Sequence, residues 1–215
     1  MADNSYTQEQ DNAEISRIDS LFPLQQQTFK QLRYPTESKR IEDLKSLKSA
    51  LIAHTDELAD ALFQDFGCRS KDDTKLVDVM PTVLGINYTI SKLKKWMKPS
   101  KRHVGVLFQP AKAYVSYQPL GVVGIITPWN YPIFLALGPL TTVLAAGNRA
   151  MIKMSEFTPK TNEVMKKMLA SVFDEDQVAL IEGGPSAAAH FSNQAFDHLL
   201  FTGSTRVGKM VMAAA

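Results

Sequence analysis

Gly121-Val-Val-Gly-Ile-Ile-Thr-Pro-Trp-Asn130-Tyr-Pro132, an apolar run to Ala146, and then Gly147-Asn-Arg-Ala-Met-Ile-Lys153-Met-Ser-Glu156 form the stretch on which the fold turns. Val122 to Ile126 is short and largely β-branched with no polar alternation, the pattern of a strand buried on both faces. Thr127-Pro128 ends it, because proline has no N–H for a sheet ladder. Asn130 then lies in a turn between Pro128 and Pro132, just past the strand's carboxyl end, where open α/β sheets bind ligands. Ile133 to Ala146 is rich in Leu and Ala and long enough for a buried helix, which Gly147-Asn148 stops. Met151 to Lys153 reads as a second strand with Lys153 and Glu156 at its carboxyl end. The unit is strand, helix, strand, with polar groups at both strand ends.

The rhythm continues downstream. Thr158-Pro159 opens a helix that runs to about Phe173, and Val178 to Ile181 is a strand ending at Glu182-Gly183-Gly184-Pro185. A short helix near Ala187 to Phe191 leads to a strand at His198 to Phe201, and Thr205 starts another helix. This alternation predicts an α/β fold with a Rossmann-like parallel sheet over residues 120–215. Upstream, residues 15–109 read as helices. A short one ends near Pro23, Pro35 breaks the pattern, Thr55 and Ser70 are candidate caps, and Gly67 is a stop. A kink is expected at Pro81. Lys101 to Gln109 is basic and irregular, and residues 110–119 hold an extended aromatic edge strand, Ala113 to Tyr117. Residues 1–14 are polar and read as a mobile tail.

The composition narrows the function classes. The 215 residues carry 24 basic and 22 acidic side chains, interspersed, for a net charge of +2, which argues neither for nucleic acid nor for an acidic surface. No run approaches the roughly 18 apolar residues of a membrane span. The first residues lack the basic and apolar regions of a secretory signal, and a single cysteine fits a reducing cytosol, so a cytoplasmic location is expected. The four histidines, His54, His103, His190 and His198, show no ligand spacing, and no metal site is expected.

Three motifs occur in order: Pro128-Trp129-Asn130-Tyr131-Pro132, Lys153-Met154-Ser155-Glu156, and Phe201-Thr202-Gly203-Ser204-Thr205-Arg206-Val207-Gly208. Together they resemble the NAD(P)-dependent aldehyde dehydrogenase superfamily, and the likeness runs from about Gln25 to Ala215. The helical N-terminal half and Asp65-Phe66-Gly67 are closest in flavour to its class 3 and coniferyl-aldehyde-dehydrogenase-like branch. The resemblance implies an incomplete cofactor-binding domain. The catalytic cysteine and general-base glutamate are expected beyond Ala215, and the isolated chain is expected not to oxidise aldehydes. It also implies that the strand in 110–119 projects and helps to build a homodimer or homotetramer.

The same motifs supply candidate site residues. An amide can donate to the oxyanion of acyl chemistry without titrating, and one such donor is worth about 2.7–4 kcal/mol of barrier. The resemblance gives Asn130 that role; on the residues alone, an Asn that merely closes a turn fits as well. A cation and a carboxylate three residues apart suit a ribose, and the resemblance assigns the adenosine ribose to Lys153 and Glu156, with Met154 in place of the usual proline. A solvent ion pair is the plain alternative. A carboxylate there favours NAD, with NADP possible. Gly203 to Gly208 opens a helix whose N–H groups can receive a pyrophosphate, with Ser204 on phosphate by the resemblance, or it is a glycine-marked helix start without a ligand. The resemblance extends cofactor contact to Thr127, Pro128, Trp129, Ser155, Phe201, Thr202, Val207 and Gly208. Gly183-Gly184 lets an adenine approach, or is a tight strand-to-helix turn. Cys68 reads as an ordinary thiol. The function implied is oxidation of an aldehyde, aromatic and coniferyl-like in the branch resembled, to its acid. The alternatives are a nucleotide-binding fragment without turnover and an acyl-phosphate-reductase-type relative.

Overall fold

The computed structural model describes residues 6–215. Four parallel strands form the central sheet: β3 (Val122–Ile126), β4 (Arg149–Lys153), β5 (Val178–Ile181) and β6 (His198–Phe201), in the order β5-β4-β3-β6. Alternate residues of the strands enter two different cores. Val123, Ile125, Ala150, Ile152, Val178 and Leu180 face the larger one. Val122, Met151, Ala179 and Ile181 face the smaller one. Both sides are covered, which is why the strands show no polar alternation.

The larger core is roofed by α2 (Glu37–Ala53), α3 (Thr55–Phe66), α5 (Met80–Trp96), α6 (Pro132–Ala146) and α7 (Pro159–Ala170). Gly67, at φ 70°, closes α3 in the left-handed conformation that glycine adopts without penalty. Thr55 is not the cap expected of it: it is the first helical residue, and its hydroxyl donates to Leu51 O at 3.0 Å. Ser70 precedes α4 (Lys71–Thr74) without a side-chain bond to it. The irregularity expected at Pro81 is a π-helical turn, Lys75–Val79, just before it. A proline there has no N–H to return to the preceding turn, so the wider register ends where it enters.

The opposite face is covered by α1 (Gln8–Gln31) and α8 (Pro185–Ser192). Here the structure corrects the sequence reading. Residues 1–5 of the expected tail lie outside the described residues, but from Gln8 onward the chain is helical. Thr7 Oγ1 accepts from the Gln10 N–H at 3.2 Å, and Gln10 Oε1 accepts from the Thr7 N–H at 2.8 Å, a reciprocal cap. The helix also passes through Pro23, because Ile18, Leu21, Phe22, Gln25 and Phe29 make one continuous buried stripe. Gln25 Nε2 donates to Ala150 O at 3.0 Å and to Glu175 O at 2.8 Å, pinning the helix to the sheet.

The expected edge strand is β2 (Ala113–Val115), whose side chains are exposed. It pairs antiparallel with β1 (Ser100–Arg102), which lies at the start of the stretch read as irregular. The final helix is α9 (Thr205–Ala214). Among the described residues, no helix is long and apolar enough to cross a membrane.

The chain lays down β3, β4 and β5 in one direction and then returns to place β6 on the other side of β3. The crossing direction therefore reverses between β3 and β6. Ligands of open parallel sheets sit outside the carboxyl ends at such a point.

Candidate functional site

The turns after β3 and β6 meet at this reversal. The Thr202 N–H donates to Ile126 O at 3.0 Å, and the Thr127 N–H donates to Lys153 O at 3.1 Å, so the sheet's ladder carries into the loops. Thr127 is buried and Pro128 half-buried, whereas Trp129 and Asn130 are exposed. The Trp129 ring lies 5.8 Å from that of Phe66. Among the described residues nothing takes the Asn130 side-chain amide, which leaves its N–H groups free to donate.

The backbone of Asn130 is fixed from an unexpected direction. Arg69 Nη1 donates to Asn130 O at 2.5 Å, and its Nη2 donates to Asp78 Oδ2 at 2.8 Å. Asp78, fully buried, accepts the Phe134 N–H at 2.9 Å on its other oxygen and so holds the first turn of α6. The guanidinium sits 4.7 Å over the Tyr131 ring and 5.4 Å from that of Phe66. Burial pushes the Asp78 carboxyl above its ordinary value, against the Phe134 N–H and Arg69. Sequence reading missed both residues; the available signal was an acid at Asp78 in i,i+4 register with Thr74 and Thr82, a polar row along a buried helical side.

After β6, Phe201 turns its ring under the loop. A Cβ on Gly203 would come within 2.5 Å of that ring and one on Gly208 within 3.2 Å, so glycine is required at the first and favoured at the second. Ser204 Oγ accepts the Val207 N–H at 3.4 Å and caps α9. The other N–H groups of that first turn have no helical partner, and the residues around them are exposed, a fit for an anionic group. Phe201, Thr202 and Gly208 are half-buried, and Gly203, Ser204 and Val207 are exposed.

Lys153, at the end of β4, is only 2% exposed, which sets aside a solvent ion pair. Its ammonium donates to Met154 O and to Gly183 O, each at 2.7 Å. An ammonium has three hydrogens; the third has no partner among the described residues. Burial lowers its pKa to about 8, opposed by Glu156, Asp11, Glu14 and Glu182. Ser155 is buried, its carbonyl taken by Asn162 Nδ2 at 2.8 Å and its Oγ by the Phe157 N–H at 3.3 Å. Glu156 is half-buried. Beside this group, Gly183 and Gly184 are buried. Gly183 adopts φ 93° with Ala187 packed close, which makes a tight turn, and the Gly184 N–H donates to Asp11 Oδ1 at 2.6 Å. The first turns of α1 thus pack beside the glycine pair.

Asp65, part of the Asp-Phe-Gly motif, accepts the Lys160 and Thr161 N–H groups at 3.0 and 2.8 Å and caps α7. Cys68 is exposed. No cluster able to hold a metal ion occurs among the described residues.

Residues 2–215 match the aldehyde dehydrogenase family. The chain belongs to that family. Over all 215 of its residues it is 50% identical to a probable coniferyl aldehyde dehydrogenase of Pseudomonas aeruginosa, covering 45% of that relative. It is 44% identical over 176 residues to a coniferyl aldehyde dehydrogenase of a Pseudomonas species, spanning 82% of this chain and 36% of the relative. Among solved aldehyde dehydrogenase structures, the substrate-bound state of Staphylococcus aureus AldH superposes with a TM-score of 0.89 at 33% identity, covering 92% of this chain and 43% of that one. The chain thus spans less than half the length of the relatives it matches. In this aldehyde dehydrogenase chain the Rossmann-like sheet and N-terminal helices are those expected from the sequence.

Proposed function

We propose that this chain is the nucleotide-holding part of an enzyme that oxidises an aldehyde to its carboxylic acid with NAD(P)+. The observation that supports this most is the meeting of the Asn130 turn and the α9 first turn at the sheet's reversal point, beside buried Lys153. In this reading Lys153, Ser155 and Glu156 hold the adenosine ribose, with the third Lys153 hydrogen on a hydroxyl. Gly203, Ser204 and the N–H groups that follow receive the pyrophosphate, and Thr127, Pro128, Trp129, Phe201, Thr202, Val207 and Gly208 line its path. The bound nucleotide supplies the hydride acceptor. Asn130 donates its amide N–H to the aldehyde oxygen as charge builds there, with Arg69 and Asp78 keeping the turn in place. The thiolate and base come from the part of such enzymes that this chain does not span. NAD is the cofactor favoured by the carboxylates around Lys153. The exposed β1–β2 ribbon suits a subunit contact in a homodimer or homotetramer, and a single cysteine suits the cytoplasm.

The substrate class follows the relatives named for coniferyl aldehyde. With NAD+ and coniferaldehyde, an enzyme containing this chain is expected to form NADH and the carboxylate in equal amounts. No NADH with any aldehyde would overturn the reading.

A further inference from the structure

Four carboxylates surround the ammonium of Lys153, and two of them come from the opposite end of the chain. Asp11 accepts the Gly184 N–H at 2.6 Å, and Glu14 Oε2 accepts the Glu182 N–H at 3.1 Å. Both amides follow β5, the strand beside the one that ends at Lys153. A Cβ on Gly184 would lie 3.4 Å from the Asp11 carboxylate and 3.6 Å from Tyr6, so the first turns of α1 are packed directly on the glycine pair. The charges are not equally compensated. Glu14 pairs with Arg17 at 2.7 Å and lies 3.9 Å from Lys166, and Glu182 pairs with Lys166 at 2.9 Å. Asp11 is 5% exposed and has no cationic partner among the described ion pairs.

We propose that the start of α1 forms the outer wall of the ribose end and that Asp11, with Glu14 in a lesser role, makes the site select a dinucleotide without a 2′-phosphate. This rests on the reading of Lys153 and Glu156 as the ribose site. The buried Lys153 attracts any anion, and the acids around it limit which one. Counting Asp11, Glu14, Glu156, Glu182 and Glu175, the second partner of Arg17, against Lys153, Arg17 and Lys166, the surroundings hold two negative charges in excess. A hydroxyl on the ribose is neutral and tolerates that field, whereas a phosphate ester is repelled. The effect belongs to Asp11 because its charge is buried and unpaired, so solvent screens it least.

The test is calorimetric titration of the 215-residue chain with NAD+ and with NADP+. Asp11→Asn keeps an oxygen for the Gly184 N–H and removes only the charge. It is expected to narrow the ratio of the two dissociation constants by about tenfold, Glu14→Gln by less, and Asp11→Glu hardly at all. Because a buried charge is little screened, raising the salt is expected to leave the difference between the unaltered chain and Asp11→Asn largely in place. Ratios within twofold of the unaltered chain for both Asp11→Asn and Glu14→Gln, with NAD+ still binding, would overturn the inference alone. Failure of the unaltered chain to bind either nucleotide would overturn the ribose reading and this inference with it.

Discussion

Asp78→Ala is expected to destabilise the fold by about 3–5 kcal/mol. The substitution leaves the Phe134 N–H without its acceptor and the Arg69 guanidinium with only the half-exposed Asp73 carboxylate, 3.3 Å from its Nε, in a place where Asp78 itself has no exposed surface. Removing one member of a buried ion pair is costly because the other stays buried and uncompensated. The pair need not be a net source of stability. Burial already holds the Asp78 carboxyl above its ordinary value, so the attraction to Arg69 does not fully offset desolvation. The double variant Asp78→Ala/Arg69→Met should therefore recover much of the loss. Urea unfolding of the three chains measures this. A single-variant loss below about 1 kcal/mol, the level of an exposed pair, would show that the pair does not anchor the Asn130 turn.

Raising the pH from about 8 towards 10 is expected to stabilise the chain, because of Lys153. Its folded pKa of about 8 lies below the ordinary lysine value of 10.5. Between those values the folded chain has released the proton while the unfolded chain still holds it. The unfolded state then binds more protons, so stability rises with pH, by up to about 1.4 kcal/mol per unit. Below pH 8 both states are protonated and the cost of the buried charge is fully present. Above pH 10 Tyr6 opposes the trend: burial raises its pKa, so the unfolded chain ionises first. Other groups titrate in this range as well. The difference between the unaltered chain and Lys153→Met isolates the lysine. That difference should shift in favour of the unaltered chain by on the order of 3 kcal/mol across the window. A flat difference from pH 7.5 to 10 would mean that Lys153 is not charged and buried as described.

The parts of the fold visible in the sequence are those set by local pattern. Val122 to Ile126 and Val178 to Ile181 announce doubly covered strands, and Gly67 and Gly147 mark helix ends where the chain does turn left-handed. The turns carrying Asn130 and Ser204 were legible because each directly follows a strand. What escaped depends on contacts across the chain. Asp11 and Glu14 belong to a polar stretch with the composition of a tail, yet their partners are the amides of Gly184 and Glu182. No local signal encodes that pairing. Arg69 likewise stands in a loop after Gly67, and its bond to Asn130 O joins residues far apart in the chain. Lys153 was read as the cation of the site, but not as a buried one, since burial follows from α1 and the loop after β5 closing over it.

In the proposed reading, the carboxyl ends of these strands hold a nicotinamide dinucleotide. Calorimetric titration of the 215-residue chain with NAD+, beside Lys153→Ala and Glu156→Ala, tests it most directly. One site is expected on the unaltered chain, with at least tenfold weaker binding to each variant, the loss of about one charged hydrogen bond. Absence of binding to a chain shown to be folded, or equal binding to all three, would contradict it.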